Sequence, residues 1–418
     1  MTTELYVRNS KECITMHRNL RIAIFTPILY PFHVDMYNLL NSITETRLYT
    51  CGIYGNYPFE ELLKKSTILK CIDFLRNKMV RPISLFKLLK YKPHLIIIYG
   101  IESLAGLSIY ILSKMAKVKT IVVVEENNRT TFDKKLLNAL RSLKEVFVRV
   151  AYATADVLIT ESKASRKYVS EILRVPRKKP IYVRPHGIDI KPFIKSRAID
   201  KREAKITVVR ALGLPNNIVD KLWLAFVGEP SYCKGADILI DAIEILGNLA
   251  KEIFNEYVFL LPRGSNLLRD APNLKPVYLR KLSELMKKNK VILFPPVKVD
   301  LMPIFYRAVD MVILPSRFLR HASSDRSPNV ALEALASGTL LVASYVGGIP
   351  DIVGDGGILI KPNDPHVLAK KLEDIIRNYQ AYRHLEEKAY RRAMSYLDIR
   401  LYTLFLLRIL KNLQKSKD

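Results

Sequence analysis

The stretch DRSPNVALEALASGTLLVAS, residues 325–344, decides how this chain is read. Ser327 in a cap position and Pro328 in a first turn start a helix. It runs through NVALEALAS, stops at Gly338, and TLLVAS follows as a buried strand. Upstream, DMVILPS ends another strand near Ser316, so strand, loop, helix and strand form a parallel crossover. The helix opens with unpaired N–H groups and a positive dipole end, a setting that suits a diphosphate. Glu333 lies more than one turn inside, where a carboxylate can accept from two vicinal hydroxyls such as those of a ribose. Asp325, just ahead of the helix, reaches a neighbouring sugar. The alternative makes Asp325 a plain loop residue and Glu333 an exposed helical position.

Working outward, the same rhythm recurs on both sides. RIAIFTPIL, HLIIIYG, KTIVVVEE, DVLITES and KPIYVRPHG alternate with helical patterns; after a charged segment around residues 196–205 come LWLAFVGE, YVFLLPRG, KVILFPPV, DMVILPS, TLLVASYVGG and GILIKP. Short apolar strands separated by helices predict parallel sheets, and 418 residues exceed what one core normally serves. The expected fold class is therefore α/β, with two Rossmann-like doubly wound domains facing a cleft. The first spans residues 1–200 and the second 201–390, while the helical segment 391–418 packs back across the domains. Ligands are expected at the carboxyl ends of the strands.

The formal charge of +27, from 67 basic and 40 acidic residues, favours phosphate-bearing partners, and the first half is the more cationic. A Lys- and Arg-rich surface of a heat-adapted protein is the bland alternative, and Gln380 and Gln414 as the sole glutamines agree with it. Cys13, Cys51, Cys71 and Cys233 show no metal-binding spacing. No signal peptide is read at the N-terminus, and LIIIYGIESLAGLSIYIL reads as strand, loop and helix rather than a span. A cytoplasmic protein, peripheral on the inner face of the membrane at most, is the expectation. Residues 61–92 interleave bases with Leu, Ile and Phe at helical spacing, a surface that would rest on anionic lipid.

SPNVALEALASGTLLVASYVGGIPDIVGDGGILIKPNDPHVLAKKL resembles the nucleotide-sugar half of the retaining family 4 glycosyltransferases, which share the glycosyltransferase B fold. FVGEPSYCKGADILIDAIEIL, FYRAVDMVILPS, RPHGIDIKPF and ADVLITESKASRKYV are similar to further segments of that family, in order. The likeness covers roughly residues 90–390 and is weakest over the first 90.

The resemblance implies transfer of a sugar from a nucleoside diphosphate donor to an acceptor hydroxyl of a glycan, a lipid-linked sugar or a protein, with retention of configuration. Lys234 would bind the donor diphosphate, Glu333 the ribose, and Asp325 stands where the family has glutamate against the transferred sugar. Ser327 and Asn329 at the helix start, and Gly347 and Gly348 in the next turn, complete the donor side, although a plain strand-to-helix turn explains each glycine as well. Glu229 occupies the place of an arginine common beside the diphosphate, so Arg263 or Arg326 would have to substitute. On the acceptor side, Glu126 is the stronger candidate and Glu125 the weaker. His33 and Glu102 sit at strand ends as structural or acceptor-positioning groups, and His186 orders a turn. No acidic pair at metal-binding spacing stands at a strand end, so no obligatory metal or other cofactor is expected.

Rival expectations are an epimerase or phosphorylase of the same fold, a nucleotide-sugar-binding protein without turnover, and a nucleic-acid-binding protein suggested by a pI near 9.8. The last lacks any zinc finger, recognition helix or RNP-like aromatic motif.

Overall fold

The computed structural model describes residues 20–51, 66–74, 77–80, 82–124, 136–176, 178–253, 255–264, 268, 270–318 and 327–415. The chain divides into two compact units, one formed by residues up to His186 together with those from Tyr402 onward, the other by Gly187–Leu401. The division at His186 falls ahead of the charged segment 196–205. That segment is part of the second unit, where Asp200 caps the Lys201–Leu212 helix by accepting from the N–H groups of Arg202 and Glu203.

In the first unit, strands β1 (Arg21–Thr26), β2 (Glu45–Thr50), β3 (Ser66–Ile68), β6 (Leu95–Tyr99), β7 (Lys119–Val124), β8 (Val157–Thr160) and β9 (Ile181–Val183) form one sheet. Their order is β3-β2-β1-β6-β7-β8-β9 and every pairing is parallel. β4 (Cys71–Phe74) and β5 (Asn77–Val80) pair separately as an antiparallel ribbon. Residues 66–68, 71–74 and 77–80 are thus strands, not the basic helix that their spacing suggested. Among the described residues of that segment, only Pro82–Lys90 is helical. β3 pairs with β2 and β4 with β5, so inter-strand pairing overrides a local pattern too short to nucleate a helix.

The second unit contains β10 (Leu222–Ala225), β11 (Tyr257–Pro262), β12 (Val291–Phe294), β13 (Met311–Leu314), β14 (Leu340–Ser344) and β15 (Ile358–Ile360). They run parallel in the order β12-β11-β10-β13-β14-β15. Alternation along each strand feeds two cores. Val312, Leu314, Leu341 and Ala343 join one cluster with the Lys201–Leu212 and Asn329–Ser337 helices. Met311, Ile313, Leu340 and Val342 join the other, with the Ala236–Leu249 and Pro365–Arg377 helices. A strand buried on both faces must be apolar at every position, which is why MVIL and LLVAS read as continuous runs.

Each sheet has one point where the chain reverses the direction in which it adds strands, between β1 and β6 in the first and between β10 and β13 in the second. Open parallel sheets bind ligands outside the carboxyl ends of strands at such points. Where the chain enters the second unit, Ile188 bridges Asp398, and a Cβ on Gly187 would lie 2.5 Å from the Ile399 nitrogen, so only glycine fits.

Among the described residues, no helix is long and apolar enough to cross a membrane. Cys51 and Cys233 are free thiols.

Candidate functional site

The turn after β10 carries two glycines with left-handed backbone, Gly228 at φ +100° and Gly235 at φ +73°. Gly235 precedes the Ala236–Leu249 helix, and a Cβ there would lie 2.0 Å from the carbonyl oxygen of Pro315. The turn therefore lies directly on the carboxyl end of β13. It is held from two sides. The Asp270 carboxylate accepts from the N–H groups of Tyr232 at 2.8 Å and Cys233 at 2.9 Å. Burial alone would raise the Asp270 pKa, but these bonds and that to the Cys233 side chain keep it below the ordinary carboxylate value. The Arg317 N–H donates to the Cys233 carbonyl at 2.9 Å, while its guanidinium stacks 3.9 Å from the Tyr232 ring centre and pairs with Asp237. Lys234, half-buried, sits inside this clamped turn.

Four strands that are neighbours in the sheet, β11, β10, β13 and β14, release the donor-side candidates from their carboxyl ends. Arg263 follows β11, is exposed, and donates its backbone N–H to Phe294 at 2.7 Å. The next residue, Gly264, would place a Cβ 3.5 Å from Pro230, so the Arg263 segment adjoins the turn that bears the exposed Glu229. After β14, Gly347 takes φ +55° and Gly348 caps the short Ile349–Val353 helix.

The Asn329–Ser337 helix follows β13. Pro328, not Ser327, is its N-cap, with extended backbone at φ −69° and ψ 121° and no capping side chain. The proline fixes the extended entry, which moves Ser327 one residue out of reach. The Ser327 hydroxyl is instead buried with no hydrogen-bond partner among the described residues. Val330, in the first turn, comes within 3.7 Å of a Cβ built on Gly228, so the glycine turn and the helix start adjoin.

Glu333 projects inward rather than lying exposed. Its Oε2 accepts from the hydroxyl of Tyr306 at 2.8 Å, and Tyr306 is itself fully buried in the Met302–Ala308 helix. Burial pushes the Glu333 carboxyl up to about 7, against the opposing pull of the tyrosine. A group poised there is ionised or protonated according to what binds beside it.

The first unit places a different set of groups at its strand ends. His33, just beyond β1, is completely buried and accepts the Tyr30 N–H on Nδ1 at 3.1 Å. Its proton therefore sits on Nε2, which has no partner among the described residues. Burial first, and the neighbouring His186 second, hold its pKa well below the usual histidine value. Phe32 stacks on the His186 ring at 4.2 Å, and His186 Nδ1 lies 2.9 Å from Glu161. Glu102 accepts from the Tyr152 hydroxyl. Asp325, Arg326, Glu125 and Glu126 lie outside the described residues. Glu161, Tyr306, Asp270 and Arg317 were not anticipated; only Glu161, closing the strand pattern of DVLITES, carried a readable signal. Among the described residues, no group of three or more His, Cys, Asp or Glu side chains converges to hold a metal.

Residues 215–392 match the family model described as glycosyl transferases group 1. The chain is 31% identical over 255 residues to a D-inositol 3-phosphate glycosyltransferase of Salinispora arenicola, covering 58% of this chain and 52% of that protein. It is 28% identical over 250 residues to an uncharacterized glycosyltransferase of Methanocaldococcus jannaschii, covering 59% of this chain and 56% of that protein. The chain spans about half the length of the curated relatives it matches. Among solved structures, it is similar to a glycosyltransferase from Rickettsia africae, with a TM-score of 0.71 at 15% identity over 96% of this chain and 100% of the other. It is likewise similar to Anabaena HepE in complex with UDP and glucose, with a TM-score of 0.69 at 17% identity over 94% of this chain and 100% of that one. These likenesses establish the two-domain α/β fold.

Proposed function

We propose that this chain, a member of the group 1 glycosyltransferases through residues 215–392, moves a sugar from a nucleoside diphosphate donor to an acceptor hydroxyl with retention of configuration and without an obligatory metal. The observation that carries the reading is Glu333: a half-buried carboxyl, pushed up to about 7, with a tyrosine partner, on a helix leaving the sheet's switch-point strand. Such a carboxyl gains hydrogen bonds when two vicinal hydroxyls of a ribose enter, which is the chemistry its environment otherwise withholds.

In this reading Lys234 and the N–H groups at the start of the Asn329–Ser337 helix face the diphosphate, with Gly347 and Gly348 letting backbone approach it. Arg263 supplements them, offsetting Glu229. The acceptor hydroxyl attacks the anomeric carbon from the face that the diphosphate leaves. The carbon–oxygen bond to phosphate breaks as the bond to the acceptor forms, and the acceptor proton passes to the departing phosphate oxygen. Asp325 would position the transferred sugar, and the buried Nε2–H of His33, with Glu126, would serve the acceptor. Stabilisation of the leaving charge by a preorganised cation and backbone donors is the main catalytic contribution. The acceptor is a glycan, a lipid-linked sugar or a polyol phosphate of the kind named for the relatives.

Thermal shift against UDP, GDP, ADP and dTDP, with and without EDTA, tests the donor site, because a ligand at 100 times its Kd adds about 2.7 kcal/mol to stability. UDP comes first, given the nucleotide in the HepE structure. A rise for one nucleotide, insensitive to EDTA and lost in Glu333→Ala, is expected. Lys234→Ala should lower turnover about 100-fold or more with the fold intact. No rise with any nucleotide, together with unchanged behaviour of both variants, sinks the reading. Nucleotide binding without transfer to any acceptor would favour the second reading, a binding protein, to which the exposed Glu229 in the expected place of an arginine points.

A further inference from the structure

A groove of about 800 Å³ lies over β2 in the first unit. Among the described residues that line it, the cations are Arg21, Arg47, Lys87, Lys90 and Lys92 and the one carboxylate is Glu45. Among the described residues, none of these five cations forms an ion pair with a carboxylate. Elsewhere the chain does compensate its bases, as where Lys114 and Lys119 share Asp156. Five cations around one carboxylate repel one another on balance, and a bound anion relieves that repulsion.

The groove is also shaped. Glu45, Arg47 and Tyr49 alternate onto one face of β2, and Thr67 of β3 lies opposite Tyr49. Tyr91, buried, donates its hydroxyl to the Glu45 carbonyl at 2.6 Å and carries the Arg47 guanidinium 4.2 Å above its ring, which fixes that cation in place. Arg21 is anchored likewise, its Nε donating to the Lys92 carbonyl at 2.9 Å. Lys87 and Lys90 come from the last turn of the Pro82–Lys90 helix, where cations also complement the dipole. Two guanidinium groups are thus preset and three flexible ammonium groups surround them, an arrangement that fits a ligand with several phosphate oxygens.

We propose that this groove is a binding site for an anion bearing two or more phosphate groups. The assignment does not depend on the transferase reading, and no candidate group of the donor site contributes to it. The phosphates belong either to a free oligophosphate or to the headgroups of an anionic lipid surface.

Calorimetric titration of the full chain with tripolyphosphate decides it, comparing the parent with Lys87→Ala/Lys90→Ala and with Lys370→Ala/Lys388→Ala, which removes equal charge from exposed positions of the second unit. Each charge-assisted contact removed costs about tenfold in affinity, so the groove variant should weaken binding at least about tenfold while the second-unit variant binds like the parent. Co-sedimentation with phosphatidylcholine vesicles with and without phosphatidylglycerol separates the sources: loss of vesicle binding in the groove variant assigns the phosphates to lipid, and a tripolyphosphate response alone assigns them to a soluble ligand. Neither response in the parent, or equal losses in both variants, overturns the site.

Discussion

Strand β13 has an inward-facing carboxyl near each end, and the two respond oppositely to their surroundings. Asp310, immediately before the strand, is 3% exposed, pairs with Lys205 at 2.7 Å and Lys201 at 3.1 Å, and accepts the Trp223 N–H at 2.8 Å. Burial on its own would raise its pKa, but the two lysines and the backbone donor outweigh that and hold it below the ordinary value. Glu333, on the helix beyond the strand's other end, has one neutral hydroxyl and is pushed up to about 7. Charges at the amino end are satisfied by the protein itself. At the carboxyl end Glu333 keeps one neutral partner, the environment on which the proposed donor site draws.

The largest effect should come from breaking the satisfied end. Asp310→Ala strands Lys205, 6% exposed, without its counter-charge and should cost about 3–5 kcal/mol in urea unfolding. Because the Asp310 pKa is depressed on folding, its contribution is complete above the unfolded value of 3.8 and fades as pH falls below it, so the variant should show a shallower acid limb than the parent. A loss under about 1 kcal/mol would erase the contrast between the two ends.

Glu333 carries the opposite sign. From the unfolded value of 4.5 to about 7, the folded state holds a proton that the unfolded chain has released, so stability falls as pH rises through that window. The ligand-free parent should lose about 3 kcal/mol from this group, and Glu333→Gln should flatten that limb and be the more stable protein at pH 8. Equal slopes for both proteins would show that the carboxyl is solvated after all.

A smaller effect tests the turn resting on the same end of β13. Gly235→Ala must either leave φ +73° or displace Pro315, at a cost of about 1–3 kcal/mol measured by urea unfolding, with transfer activity falling because Lys234 moves with the turn. Smallest of all, Tyr306→Phe removes the one donor that lowers the Glu333 pKa. It should cost about 1 kcal/mol at neutral pH and move the Glu333-linked stability loss to higher pH.

The second unit was legible because its signals are local. Glycines that need positive φ, a proline at a helix start and strands apolar at every position appear as contiguous patterns, and Lys234, Gly235 and Glu333 fall within them. The first unit resisted for the converse reason. β2, with the sequence ETRLYT, mixes charge and apolar side chains and gives no buried-strand run, and 66–80 looked helical until pairing with neighbouring strands imposed its own period. The Ser327 cap failed over a single residue, since proline's fixed φ could serve either the cap or the first turn.

By itself the sequence determined the two α/β units, the parallel strands and the residue types available at their carboxyl ends, because period, turn chemistry and apolar runs are properties of neighbours along the chain. Only the tertiary structure decided which polar groups meet. Tyr306 reaches Glu333 across 27 positions, Lys205 reaches Asp310, and the five cations over β2 gather from three separate segments around one carboxylate. Burial and electrostatic compensation depend on distances through space, and no pattern along the chain encodes those.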